Sequence, residues 1–159
     1  KLRQPTLVLQ IADPSEGAGY ENSSVAGAVR DALLGHQHPD WDLATAARPE
    51  QVRALFGSKR TIPVGIEFGT VGVLDDEKTL HEVTTFRRDV RTDGRHAEVE
   101  FGVSLDEDLA RRDVTINAIA IPTTIRYQFS MMNTGLKFSA LMRELTHENG
   151  GVFVALPDL

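Results

Sequence analysis

The chain has 159 residues, of which 41% are hydrophobic and 25% charged, with a net charge of −6 at pH 7. This ordinary globular composition excludes disorder over most of the length, and we expect one domain over residues 1–159. The absence of cysteine excludes disulfides and zinc–thiolate sites and fits a reducing compartment, the cytoplasm. No apolar run is long enough for a membrane span, and the acidic balance argues against a uniformly basic nucleic-acid surface.

The first predicted element is a β-strand. Its six residues, LVLQIA, are mostly apolar and lie between Pro5 and Pro14, which we take as its boundaries. A loop rich in glycine and acidic residues follows, as far as residue 20.

A strand, a glycine turn and a helix are predicted next. Val25 ends the strand, Gly27 permits the turn, and residues 28–34 form a helix that ends at Gly35. Such a turn directs free backbone N–H groups and the positive end of a helix at one point, where a phosphate can bind. Arg30, expected in the first turn of this helix, could reach the same anion; the alternative is a surface arginine on an amphipathic helix.

The segment HPDWDLAT, from His38 to Thr45, carries Asp40 and Asp42. On an extended strand, residues two apart point to the same face. Two like charges that close resist joint ionisation unless a cation lies between them, and hard oxygen ligands favour magnesium. The alternative is a turn in which both aspartates simply face water.

A helix over residues 47–56 is predicted to pack against the core, and one or two strands follow between residues 61 and 74. After an acidic turn, LHEVTTF predicts another strand. Glu82 shares one face of that strand with Leu80 and Thr84, and is a candidate third carboxylate. The alternative for Glu82 is a solvated residue on an edge strand.

The remaining sequence predicts less regular structure. Residues 87–101 are dense in arginine and acid around a glycine, which indicates an exposed, mobile loop. Residues 105–120 predict two short helices with a break at 114–116, where β-branched residues gather. Strand-like residues after 121, a helix over 135–148 and a last strand in VFVAL complete the chain.

Four segments together resemble a known family: Gly27 with AVRDALLG, DWDLAT, HEVTTFRRDVRTDGRHAEVEF and EDLARRDVTINAIA. In this order and spacing they are similar to the catalytic head of class II tRNA nucleotidyltransferases (CCA-adding enzymes) and of bacterial poly(A) polymerases, over about residues 24–120. The implied fold is the nucleotidyltransferase (polymerase beta-like) α+β type, a mixed sheet flanked by helices. The implied enzyme transfers nucleotides from ATP or CTP to an RNA 3′ end, such as that of tRNA, with Mg²⁺.

The resemblance also implies roles for individual residues. It gives Asp40 and Asp42 as magnesium ligands and Glu82 as the third catalytic carboxylate. It assigns nucleotide binding to Gly27, Arg30, Arg111, Arg112, Asp113 and Asn117, and a flexible loop to Asp93, Gly94, Arg95 and His96.

The sequence departs from the family pattern in several places. Ala26 stands where the family usually has a glycine, and Val114 where it usually has a larger apolar residue. No base-reading motif and no tRNA-holding domains are recognisable after Ala120, which predicts weak base selection. Residues 1–23 and 121–159 match no family segment, and a small core of this kind could pair with itself as a homo-oligomer.

Two other functions stay open. A catalytically inactive, nucleotide-binding scaffold derived from the same family would retain the fold without the chemistry. A zinc-dependent hydrolase is suggested by His36, His38 and Asp40, which spell His-x-His-x-Asp, although no further histidine has a convincing ligand context.

Overall fold

A seven-stranded sheet frames the protein in the computed structural model, which describes residues 4–37, 40–92, 97–112, 118–123, 146–147 and 152–153. In chain order the elements are α1 (Thr6–Gly17), β1 (Asn22–Val25), α2 (Ala26–Leu33), β2 (Asp42–Thr45), α3 (Pro49–Phe56), β3 (Thr61–Gly65), a 3₁₀ turn (Ile66–Phe68), β4 (Thr70–Leu74), β5 (Leu80–Thr85), β6 (Arg87–Thr92), β7 (Ala97–Phe101), α4 (Leu105–Ala110), β8 (Ile119–Pro122) and β9 (Val152–Phe153).

The strands of the large sheet lie in the order β3-β4-β5-β2-β1-β8-β9, while β6 and β7 form a separate hairpin. β2 and β5 run parallel, and the other paired neighbours in the sheet run antiparallel. The sheet is therefore mixed and flanked by helices, as the sequence predicted. Among the described residues, no helix is long and apolar enough to cross a membrane.

The predicted first strand is wrong, because its residues lie in helix α1. Val8, Ile11, Ala12 and Ser15 are buried, and their spacing is that of one helical face rather than of a strand. Pro5 precedes the helix as its N-cap, where a missing N–H costs nothing, and Pro14 is accommodated inside it. Proline positions therefore misled the sequence prediction.

The two faces of the sheet carry separate apolar clusters. The larger cluster lies under α1, α2 and α3 and includes Val29, Leu43 and Val83. The smaller cluster combines strand residues such as Val25 and Ala44 with Leu109 from α4. Since residues 43 and 44 belong to different clusters, β2 is covered on both faces beyond its first residue.

The alternation predicted for β5 is confirmed. His81, Val83 and Thr85 are buried, whereas Leu80 and Glu82 are exposed. The buried set faces the larger cluster, to which Val83 belongs. Glu82 therefore lies on the opposite face of the sheet.

The mobile loop predicted for residues 87–101 is instead a β-hairpin outside its tip. Arg87 pairs with Phe101 at the base, and the register runs to Thr92 opposite Ala97. Residues 93–96, at the tip, lie outside the described structure. Alternating charges misled the prediction, because Arg88 and Glu100 face each other across the hairpin and form an ion pair of 2.7 Å.

The last third of the chain is described in part. α4 ends at Ala110, and residues 119 and 120, predicted as helical, begin β8. β8 pairs antiparallel with β1 and with the short strand β9, which confirms a strand within VFVAL. The predicted helix break at 114–116 lies outside the described residues. Of the helix predicted over 135–148, only residues 146 and 147 are described, and they are helical.

Candidate functional site

Asp40 and Asp42 lie at the beginning of β2 with exposed side chains, on either side of the buried Trp41. This exposed–buried–exposed alternation is that of an extended segment, so both carboxylates point to the solvent side. Trp41 and Leu43 anchor the segment in the larger apolar cluster. The start of β2 thus presents two carboxylates from a rigid support.

Glu82 is on the neighbouring strand. Leu43 is the partner of Val83 in the parallel pairing of β2 with β5, and one step earlier in this register Asp42 meets Glu82. Both side chains are exposed. Within the described ranges, however, no three His, Asp or Glu side chains converge as a metal-binding group. Glu82 is therefore a neighbour of Asp42, and its role as the third catalytic carboxylate stays a prediction.

The N-terminus of α2 lies at the same edge of the sheet. Val25, the residue before the helix, is the antiparallel partner of Asp42. Ala26 adopts φ +61°, the left-handed region in which glycine carries no penalty. The predicted strand and helix are confirmed, but the helix begins at Ala26 rather than at residue 28, so Gly27 is its second residue and forms no separate turn.

Arg30 is placed differently from the sequence prediction. Because α2 begins at Ala26, Arg30 belongs to its last turn rather than its first. Its guanidinium contacts the carboxylate of the adjacent Asp31, with Nε and Nη2 each 2.7 Å from Oδ1. This contact joins Arg30 to its neighbour in the chain, in the last turn of the helix.

Arg111 and Arg112 follow directly after α4 and share one acceptor. Nε of Arg111 is 3.0 Å from Oδ1 of Asp108, and Nη2 of Arg112 is 3.3 Å from Oδ2. Burial lowers the pKa of Arg112, opposed by the charges of Asp108 and of Asp42. The charge of Asp42 thus acts on Arg112, although about 70 residues separate the two in the chain.

Sequence reasoning missed Asp108 and Arg87. Asp108 is 1% exposed and also accepts a hydrogen bond of 3.1 Å from the backbone N–H of Arg87. The Arg87 guanidinium donates to the Phe68 carbonyl and lies 6.0 Å from the Phe68 ring centroid. Burial, followed by the nearby charge of Arg111, lowers the pKa of Arg87. The usable signal was the spacing of Asp108 three and four residues before two arginines, on one helical face.

Several predicted site residues lie outside the described structure: Asp93, Gly94, Arg95, His96, Asp113 and Asn117. The same holds for His38 of the zinc hypothesis. His36 is exposed, and no metal-binding group of three side chains occurs in the described parts of the chain, so nothing there supports a zinc site.

The donor set at the start of β2 fits magnesium. Asp40 and Asp42 offer only carboxylate oxygens, and both are exposed beside a helix N-terminus. Magnesium in proteins is commonly held by one or two carboxylates together with water and substrate phosphates, so it needs no closed protein cage. Arg112 adds a positive charge nearby. The edge can accommodate a metal-bound polyphosphate.

Comparison with known proteins identifies close relatives of this chain. Residues 24–137 match the family described as the Poly A polymerase head domain. The CCA-adding enzyme of Streptococcus pyogenes is 49% identical over 115 residues, which are 71% of this chain and 28% of that protein. The CCA-adding enzyme of Levilactobacillus brevis is 51% identical over 108 residues, 67% of this chain and 26% of that protein. The chain thus spans less than a third of the curated relatives it matches.

Solved structures show the same fold. The crystal structure of the Bacillus stearothermophilus CCA-adding enzyme in complex with CTP has a TM-score of 0.64 and 45% identity, covering 73% of this chain and 27% of that one. A tRNA nucleotidyltransferase complexed with a primer tRNA and an incoming ATP analog has a TM-score of 0.57 and 26% identity, covering 85% of this chain and 36% of that one. The mixed sheet with flanking helices is common to all three.

Proposed function

The chain belongs to the Poly A polymerase head domain family, and from this premise we propose that it is a nucleotidyltransferase core that adds ribonucleotides from ATP or CTP to an RNA 3′ end, such as that of tRNA. The observation that carries the proposal is that two exposed carboxylates and a helix N-terminus lie at one sheet edge. Asp40 and Asp42 are exposed there, the N-terminus of α2 begins beside Asp42, and the charge of Asp42 acts on Arg112.

In this proposal, Mg²⁺ is held by Asp40 and Asp42 and, when bound, activates the RNA 3′-hydroxyl and neutralises charge at the reacting phosphate. Glu82, beside Asp42 on β5, contributes further negative charge to the same face. Two carboxylates would suffice to hold magnesium, because substrate phosphates and water would supply its remaining ligands.

The remaining residues would bind and orient the nucleotide. The backbone N–H groups at Ala26 and Gly27 open α2 and favour a phosphate through the helix dipole. Arg111 and Arg112 supply fixed positive charge, which suits the triphosphate and ribose side of a nucleotide. Residues 93–96 lie outside the described structure, and the loop role that the family resemblance implies for them stays a prediction.

Extension of a labelled RNA with a free 3′-hydroxyl tests the proposal. Mg²⁺ and each of the four ribonucleoside triphosphates are supplied separately. The wild type is expected to extend the RNA with weak discrimination between CTP and ATP, and the Asp40→Ala, Asp42→Ala double variant to show no extension. Asp106→Ala, which changes an exposed residue of α4, serves as the matched control.

Two results would contradict the proposal. Equal extension by the double variant would show that Asp40 and Asp42 are not required for the reaction. Nucleotide binding without extension by the wild type would favour a nucleotide-binding module without transferase chemistry. Strict addition of C, C and A alone would contradict the weak base selection.

A further inference from the structure

Asp108 is a buried carboxylate of α4 that accepts hydrogen bonds from three different residues. Its Oδ1 accepts hydrogen bonds from the Arg87 backbone N–H at 3.1 Å and from Arg111 Nε at 3.0 Å. Its Oδ2 accepts from Arg112 Nη2 at 3.3 Å. Asp108 is 1% exposed, so its carboxylate depends on these protein groups and not on solvent for its hydrogen bonds.

These contacts join two parts of the chain that a helix alone would not connect. Arg87 is the first residue of the hairpin and lies 21 residues before Asp108. Arg111 and Arg112 follow the helix and reach back to it by three and four residues. Phe86, just before the hairpin, packs in the same apolar cluster as Leu109. The base of the hairpin and the arginine pair are thus held by one buried group.

The sharing of Asp108 restricts the orientation of both guanidiniums. An arginine has five N–H donors in a planar fork, and engaging one edge on a carboxylate fixes where the others point. Arg111 and Arg112 side chains are only 17% and 16% exposed, so few alternative orientations are open to them. The charge of Asp42 acts on Arg112 from the carboxylate edge.

We propose that Asp108 is a positioning residue for the nucleotide site: it presents Arg111 and Arg112 to the bound nucleotide and ties them to the base of the hairpin. The inference rests on the proposed function. Asp108 itself lies beneath the arginines and touches no substrate. Its removal is expected to weaken nucleotide binding while leaving the carboxylate pair in place.

The first test is the affinity of Asp108→Asn for ATP and CTP with Mg²⁺, measured by isothermal titration calorimetry on the full chain. Asparagine keeps an oxygen for the Arg87 N–H but turns an amide donor toward a guanidinium. We expect the dissociation constant to rise about tenfold or more, equivalent to about 1.4 kcal/mol. Asp106→Asn in the same helix is the matched control and should bind as the wild type does.

A thermodynamic cycle separates positioning from a general structural effect. In the Arg111→Ala, Arg112→Ala background, Asp108→Asn should weaken binding no further, because the groups through which it acts are absent. It should also raise the thermal stability of that background, since it removes a buried charge that has lost its ion pairs with Arg111 and Arg112. An equal loss of affinity in both backgrounds would overturn the inference.

Hydrogen exchange of the nucleotide-free protein tests whether Asp108 holds the base of the hairpin. In Asp108→Asn, backbone amides of β6 and β7 should exchange faster than in the wild type, whereas those of β2 and β5 should be unchanged. Unchanged exchange in β6 would overturn the coupling. If the wild type fails to bind nucleotide, the proposed function fails and the inference falls with it; if the wild type binds and Asp108→Asn binds equally well, only the inference fails.

Discussion

Val25 and Asp42 are direct partners across the antiparallel β1–β2 ladder. One is the last residue before α2 and the other is the first residue of β2, so the positive end of a helix and a carboxylate occupy the same edge of the sheet. Backbone pairing thereby places the two opposite charges at the same end of neighbouring strands.

Replacing Glu82 by Gln should reduce nucleotide transfer by about 100-fold or more if its charge acts beside Asp42 in the transition state. Nucleotide affinity should change less, because Asp40 and Asp42 remain. Steady-state kinetics of RNA extension measures both quantities. Glu77→Gln, in the exposed turn before β5, is the control. Similar activity of the two variants would show that the charge of Glu82 is not required for nucleotide transfer.

Replacing Ala26 by Gly should stabilise the protein. A left-handed conformation costs an alanine about 1–2 kcal/mol, and the greater freedom of glycine in the unfolded chain offsets about 0.5–1 kcal/mol. The free energy of unfolding in urea should therefore rise by about 0.5–1 kcal/mol. Ala54→Gly, on the exposed side of α3, should lower it by about 1 kcal/mol. A loss of stability in both variants would contradict the strain at Ala26.

Replacing Gly69 by Ala should cost more than replacing Gly102. Both glycines have positive φ, +86° and +84°, but a Cβ at Gly69 would lie 2.6 Å from Cε1 of Phe101, whereas nothing lies within 4 Å at Gly102. We expect a loss of about 1–2 kcal/mol for Gly102→Ala and about 2–4 kcal/mol for Gly69→Ala. Urea unfolding measures both, and Phe101→Leu should reduce the difference between them. Equal losses of stability would show that the Phe101 side chain moves away from a Cβ at residue 69 without a measurable energetic cost.

Asp75 should contribute to stability in a way that acid removes. Burial alone would raise the pKa of Asp75, but hydrogen bonds from His81, at 2.9 Å, and from the Thr79 and Glu77 amides outweigh it and lower the pKa. The folded state therefore prefers the carboxylate. This contribution is complete above the unfolded pKa of about 3.9 and is lost as pH falls through the lower folded value.

The measurement is urea unfolding of the wild type and Asp75→Asn between pH 2 and pH 7. The variant should be less stable at neutral pH, and the difference between the two proteins should shrink below about pH 4. Asp76→Asn, at an exposed neighbour, should follow the wild type throughout. A difference that stays constant with pH would contradict the role of the Asp75 charge.

Local periodicity predicted the elements that border the candidate site. The alternation around Trp41 and along β5 placed Asp42 and Glu82 on solvent-facing sides, because one face of each segment is buried and fixes the register. The strand and helix next to Gly27 followed from similar local rules, although the helix begins at Ala26 instead of residue 28. These features depend on residues close in sequence, so the sequence was sufficient for them.

Features that depend on distant partners were not predictable in this way. Helix α1 contains a short apolar run that fits a strand equally well, and its packing on the rest of the fold decides between them. The hairpin was not predicted, because its charged residues look like those of a solvated loop in the sequence but pair across the two strands, as Arg88 and Glu100 do. The role of Asp108 requires Arg87, whose position relative to α4 is set by the tertiary fold.

The pairing of β1 with β8 has a consequence for biosynthesis. Thr123 bonds to the Asn22 carbonyl across 101 residues, and Gln4 bonds to the Pro122 carbonyl across 118. At about 5–20 residues per second, a ribosome needs about 5–20 s after making β1 to deliver this neighbour. High contact order slows the closing step further. Until β8 has been synthesised, the side of β1 that pairs with it has no partner strand on the nascent chain. The part of the sheet that carries Val25 and Asp42 is therefore completed late in folding.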